Sequence, residues 1–319
     1  MKRILCLCGV GGLAAALAFG ALWWRNGAFG VNVVLQHGGT YWLSVGLDSP
    51  RLSPAMRRAL DDTPEATAGA FAWNSIGEGF EVAELPVMVG AEEVDRILLA
   101  RIDPQHFRFV LRNAPSGGKD LDRWMAELGA ALVVNGSYYA PHGEPATPVI
   151  SDGTRLGPAE YQAKAGAFIA SSGFTGIRDL RDADWRTAFE GAENAMVSYP
   201  LLVADGTTHI AHPSRWLANR SFIGQDKAGR VIIGTTRDAF FSLDRLARFL
   251  LEAPLDLTIA LNLDGGPVAC QGIALGGFSR RTYGRWEAQV EGDRAELLTW
   301  PYGEAGEMPI VLAVLPRDE

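Results

Sequence analysis

The chain has 319 residues, 48% hydrophobic and 21% charged, the balance of a folded globular protein rather than a disordered one. Its 37 glycines and 17 prolines follow no repeat, which excludes collagen-like and linker-like architectures. The formal charge is −8; without Lys2, Arg3 and Arg25, 26 basic residues face 37 acidic ones, −11, so no nucleic-acid partner is expected.

Lys2 and Arg3 precede an apolar run, Ile4 to Trp24, which Arg25 closes. The run is long enough to cross a bilayer as a helix and longer than a usual signal-peptide core. Trp23 and Trp24 suit an interfacial anchor, whereas Ala18-Phe19-Gly20 offers a small-residue cleavage site. Residues 1–30 are therefore expected to be a signal anchor or a signal peptide. The body is expected to be exported: anchored through residues 4–24 in the inner membrane facing the periplasm, or secreted after cleavage. Gly9-Val10-Gly11-Gly12 lies inside the apolar run and follows no strand, so it is not a dinucleotide loop, and no cofactor is expected. Cys6 and Cys8 also fall in the run. The body keeps Cys270 alone, expected as a small buried apolar residue with no disulfide partner.

Residues 31–79 read as a spacer with a lead-in element, including a helix candidate at Pro54–Leu60 and an acidic stretch at Asp61–Glu65. Strand signals then dominate, and residues 80–319 are expected to form one domain. Phe80–Leu85 alternates with period two. Further strands are predicted at Asp95–Ile102, Phe107–Leu111, Ala131–Val134, Ala167–Ala170, Pro200–Val203, Ser221–Ile223, Val231–Thr235, Thr258–Leu263 and Met308–Leu315. Asp120–Leu128 and Ser242–Leu251 read as helices. In the second, Leu243, Leu246, Ala247 and Leu250 share a face, and Ser242 is the natural N-cap. Many strands with few helices predict an α+β fold: a mixed β-sheet core with packed helices, preceded by an apolar anchor helix.

Three places set polar residues against apolar strands. Ala131–Val134 runs into Asn135-Gly136, a strong turn signal, but no matching strand follows at once. Arg220 opens the strand Ser221–Ile223 and is either an edge or ion-paired residue or a fork for phosphate or carboxylate. The strand Thr258–Leu263 carries Asn262 and ends on Asp264-Gly265-Gly266, which is either a turn or a carboxylate placed for chemistry, with glycines that let a ligand come close.

Taken in order, these pieces resemble the phosphodiester glycosidase family over about residues 80–315. Asn135-Gly136-Ser137-Tyr138-Tyr139 is similar to its Asn-Gly-Gly-Phe-Phe block, Ser151-Asp152-Gly153 to its Asp-Gly turn, and Tyr199-Pro200-Leu201-Leu202 to its Gly-Pro-Leu-Leu segment. Arg220-Ser221 resembles its Arg-Thr/Ser strand, and Asn262-Leu263-Asp264-Gly265-Gly266 its Asn-Leu-Asp-Gly-Gly. Pro267-Val268-Ala269 stands where the family has Gly-Ser-Ser.

The resemblance implies an exported hydrolase that cleaves the sugar–phosphate bond of a glycosyl-1-phosphodiester in an envelope glycan or exopolysaccharide. Arg220 would hold the phosphate, Asp264 would act as nucleophile or base, and Asp152 is a second carboxylate candidate. Asn135, Gly136, Tyr138, Asn262, Gly265 and Gly266 would bind substrate or support Asp264. The alternative is a non-catalytic envelope protein that binds glycans or sugar phosphates with the same pocket. The chain has no Gly-x-Ser-x-Gly elbow and no His-Glu-x-x-His, and His209 and His212 read as exposed loop residues, so no metal is expected. Arg280-Arg281 reads as a solvated pair that would also suit an anion.

Overall fold

The computed structural model describes residues 11–25, 27, 31, 42–61, 65–162, 165–299 and 306–317. Cys6, Cys8, the first part of the apolar run and much of the expected spacer lie outside the described residues. Four sheets carry the body. A nine-stranded sheet takes the order Thr207–Thr208, Leu201–Ala204, Leu257–Asn262, Ser221–Asp226, Val231–Thr236, Glu92–Ile102, Phe80–Val89, Thr67–Ala68, with Asn74–Gly77 also pairing Phe80–Val89. One five-stranded sheet runs Phe278–Thr282, Gln271–Leu275, Leu132–Asn135, Ile310–Pro316, Phe107–Asn113. A second runs Thr175–Asp179, Gly166–Ala170, Asn194–Ser198, Val149–Ser151, Thr154–Leu156. A four-stranded sheet joins Trp42–Gly46, Arg294–Thr299, Trp286–Glu291 and Trp216–Ala218.

The α+β class holds, with strands in the majority. Where a mixed sheet was expected, the described pairings are antiparallel: Phe80–Val89 and Glu92–Ile102, like Ser221–Asp226 and Val231–Thr236, are hairpins too tightly connected for a parallel crossover. The nine-stranded sheet is covered on both faces, which explains its nearly unbroken apolar strands. Phe222 and Ile232 point into one core with helix Leu243–Glu252, and their neighbours Ile223 and Ile233 point into another with Leu132, Phe168 and Leu312. Each such side chain contributes about 1.5–3 kcal/mol on burial.

Asp120 caps helix Leu121–Leu128 by accepting from the Arg123 N–H at 2.9 Å, and Gly129 ends it in the left-handed region. Ser242 occupies the N-cap of Leu243–Glu252 but makes no side-chain cap bond. The reason is local competition: its hydroxyl donates at 2.7 Å to the buried Asp244 carboxylate. The expected spacer carries structure of its own, since Trp42–Gly46 pairs with Arg294–Thr299 and Met56 of helix Pro54–Leu60 is fully buried.

Residues 11–25 are helical and exposed throughout, with Leu13, Leu17, Trp23 and Trp24 among the largest exposed apolar side chains. Among the described residues, no helix is long and apolar enough to cross a membrane, and residues 4–10 of the expected segment lie outside the described residues.

Candidate active site

The site forms where strand Leu257–Asn262 leaves the centre of the large sheet. Leu263 N–H donates to the Ser221 carbonyl at 2.9 Å, and Asp264 N–H to the Gly136 carbonyl at 3.1 Å. Asp264 is thus handed from one sheet to the end of strand Leu132–Asn135 in another. Buried Asn135 completes the junction: its Nδ2 donates to the Asp264 carbonyl at 2.8 Å, and its Oδ1 accepts from the Cys270 N–H at 3.3 Å. Gly136 is required by close approach, because a Cβ there would stand 2.6 Å from the Ile310 side chain. Asn135-Gly136 therefore joins sheets and turns no hairpin.

Arg220 lies between strands Trp216–Ala218 and Ser221–Asp226 and is 6% exposed. Its backbone N–H donates to Thr236 Oγ1 at 2.9 Å, Nε to the Phe241 carbonyl at 3.2 Å and Nη2 to the Trp216 carbonyl at 2.7 Å. Nη1 faces Gly265, where a Cβ would sit 3.3 Å away. Among the described residues no carboxylate lies within ion-pair distance of this guanidinium. Its charge is balanced at longer range by Glu287 and Asp264, while burial pulls its pKa below the ordinary value.

Burial pushes the Asp264 carboxyl up to about 7, and the charge of Glu287 adds to the rise; the Gly265 N–H, 2.9 Å from Oδ1, and Arg220 oppose it. Glu287, on strand Trp286–Glu291, is raised as well, first by burial, against a 2.7 Å hydrogen bond from Trp216 Nε1. Gly266 admits this second carboxyl: its φ is +70°, and a Cβ would stand 2.5 Å from Glu287 Oε2. Burial thus raises both carboxyls, and the charge of Arg220 opposes the rise in each.

Tyr138 forms a wall. Its ring stacks on Tyr199 at 4.2 Å between centroids, its hydroxyl donates to the Tyr199 carbonyl at 2.7 Å, and it accepts from Asn262 Nδ2 at 2.8 Å. Burial and the Asp264 charge raise the Tyr138 phenol well above its ordinary value. Asn262 is fully buried and spends its Nδ2 on Tyr138, Tyr199 and Leu263. Both asparagines thus support the site from behind.

The structure brings together Asp264, Arg220, Asn135, Gly136, Tyr138, Asn262, Gly265 and Gly266. It does not bring Asp152 to them. Asp152 and Gly153, both at positive φ, turn the hairpin Val149–Ser151/Thr154–Leu156. The Asp152 carboxylate pairs with Arg112 at 2.9 Å and is bonded by Asn194, and none of these partners belongs to the Asp264 group. Pro267 and Val268 form a buried 3-10 turn with Gly266, and Ala269 follows it with no exposure, so the departure from the family's Gly-Ser-Ser lies in packing behind the acid. Cys270 is buried as expected, its thiol pushed up to about 12 by desolvation. His209 packs against Arg181 and the Ala204 carbonyl.

Sequence reasoning missed Glu287 and Trp216 as members of the site. Nothing in Trp286-Glu287-Ala288-Gln289 marks the glutamate out, and the tryptophan that binds it stands 71 residues earlier.

A family model described as phosphodiester glycosidase matches residues 128–269. No curated protein matches the sequence. Among solved structures, the chain is similar to the zebrafish N-acetylglucosamine-1-phosphodiester alpha-N-acetylglucosaminidase catalytic domain auto-inhibited by its pro-peptide. The two are 16% identical with a TM-score of 0.51, over 89% of this chain and 91% of that one, a likeness of fold. A hypothetical protein from Synechocystis follows at 14% identity and a TM-score of 0.45, over 73% of this chain and 64% of the other. The matched stretch, residues 128–269, holds Asn135, Arg220 and Asp264, and the match agrees with the resemblance carried by the motifs.

Proposed function

We propose that this protein hydrolyses the bond between a sugar's anomeric carbon and a phosphodiester oxygen. The observation that carries the reading is Arg220: a buried guanidinium with no carboxylate at ion-pair distance among the described residues, beside an acid whose pKa is about 7. Such a cation calls for an anionic ligand, and a phosphate is matched by its fork of N–H donors. Asp264, its carboxyl pushed up to about 7 by burial, is suited to take a proton from water. Water adds to the anomeric carbon, the C–O bond to the phosphate breaks with its electron pair leaving on oxygen, and Asp264 receives the proton. Arg220 steadies the charge growing on the departing phosphomonoester. Because phosphate leaves readily, little acid assistance is needed. Glu287 keeps Asp264 poised by repulsion, Tyr138 walls the sugar, Gly265 and Gly266 leave room for Arg220 and Glu287, and Asn135 and Asn262 hold the frame.

The reading includes export, with residues 4–24 as the attachment to a membrane or as a cleaved leader. The exposed apolar side chains of residues 11–25 support it.

Incubation of the full chain with UDP-linked N-acetylglucosamine, scored by release of free sugar, tests the reaction. Turnover that falls about 10³-fold in Asp264→Asn is the expected result. Unchanged turnover in that variant would remove Asp264 from the mechanism. Tight binding without hydrolysis by the unaltered chain would identify a glycan- or sugar-phosphate-binding protein instead.

A further inference from the structure

Arg96, Arg237, Arg280, Arg281 and Arg285 line a cleft of about 550 Å³. Five guanidinium groups in one cleft stand out in a chain of net charge −8. The acids in its lining are Glu84 and Asp238, so the lining itself is cationic. The strands explain the gathering. Arg96 lies on Glu92–Ile102 in the nine-stranded sheet, Arg280 and Arg281 lie on the hairpin strand Phe278–Thr282, and Arg237 and Arg285 sit on the loops following Thr236 and preceding Trp286.

The ion pairs leave much of this charge unspent. Arg281 Nε meets Asp122 at 2.7 Å, and Arg96 is held by Glu93 and Glu84. Arg280 uses only Nε, 3.2 Å from Glu84, and its side chain is 59% exposed. Arg237 reaches Glu93 only through Nη2 at 3.4 Å and is 61% exposed. Arg285 makes no ion pair among the described residues. Each guanidinium has five donors, so several N–H groups face the opening uncommitted. Trp286 and Tyr283 add aromatic walls, and the volume lies within the range of small-molecule sites.

The cleft is separate from the active site: Asp264, Arg220, Glu287 and Tyr138 do not line it. Buried Asn219 stands between them. Its Oδ1 accepts from the Arg285 and Trp286 N–H groups at 2.9 and 3.0 Å, and its carbonyl accepts from the Gly266 N–H at 2.9 Å.

We propose that this arginine cleft is a second binding site, for a ligand carrying two or more phosphates. Forked, weakly hydrated donors spread over a concave surface suit several phosphate oxygens at once, which single exposed salt bridges do not. The same chemistry could come from a compact diphosphate or from a repeating phosphate chain, and the test separates them.

The full chain is titrated calorimetrically with inorganic pyrophosphate and, separately, with long-chain polyphosphate. Saturable binding is expected, weakened at least about tenfold in Arg280→Glu/Arg285→Glu and unchanged in Asp264→Asn. Arg285→Gln, which removes no ion pair, serves if the double variant fails to fold; it should weaken binding several-fold. Binding of both probes supports a compact ligand, and variant-sensitive binding of polyphosphate alone supports a chain. Absence of saturable binding by either probe at millimolar concentration overturns the proposal, as does binding that neither variant weakens. Because the readout is binding without turnover, failure here leaves the hydrolase reading standing, and failure of hydrolysis leaves the cleft standing.

Discussion

The molecule handles arginine in two opposite ways. Arg220 is buried, has no carboxylate at contact distance among the described residues, and is held by the carbonyls of Phe241 and Trp216. The cleft on the other side of Asn219 gathers five arginines, several of them largely exposed and laced with Glu84, Glu93 and Asp122. Counting charges would rank the cleft first. Desolvation ranks Arg220 first, because one cation in a low-dielectric site acts on its neighbours more strongly than several in water. The raised pKa of Asp264 belongs to the same environment: burial that isolates the cation also makes the acid reluctant to ionise.

Three substitutions probe this contrast, beginning with the largest effect. Arg220→Lys keeps the charge and loses the fork; kcat/KM for the sugar phosphodiester should fall by about 10²–10³-fold, far more than any single cleft substitution causes. A loss smaller than that from Arg285→Gln would reverse the ranking.

Glu287→Gln comes next and is read by pH. Glu287 raises the Asp264 pKa, so its removal should lower it. With ionised Asp264 as the working base, activity climbs as pH rises through the Asp264 pKa, about 7 in the unaltered chain. In the variant the midpoint of that climb should move to lower pH by about one unit, raising activity at pH 6 relative to pH 8. An unmoved midpoint would show that the two carboxyls do not sense each other. Asp152→Asn is the small-effect control: its carboxylate, 61% exposed and paired with Arg112, turns a hairpin, so kcat/KM should stay within about twofold. A tenfold loss would return Asp152 to the site.

The legible parts of the sequence were those where a single segment carries its own signal. Phe80–Leu85 alternates, Val231–Thr235 opens on three β-branched apolar residues, and both are strands. Asp264 and Arg220 stood out because a charged side chain at the end of an apolar strand breaks its pattern. Thr175–Asp179, Asn194–Ser198 and Trp286–Glu291 were not legible: each is short, and its strand character comes from partners supplied by pairing. Glu287 was hidden for the same reason, since its importance arises from Trp216 and Gly266 and not from its immediate neighbours. Asp152 shows the converse: a motif that stood out, Ser151-Asp152-Gly153, proved to be ordinary hairpin chemistry.

The peptide that carries Asp264 is riveted on both sides of its Cα, its N–H to Gly136 and its carbonyl to Asn135, while the strand before it belongs to a different sheet. The Asp264 carboxyl therefore stands on a seam between two layers and not on a free loop. Any slippage of one layer against the other shears those two bonds first, so the alignment of Asp264 and the registry of the layers are a single mechanical property of the molecule.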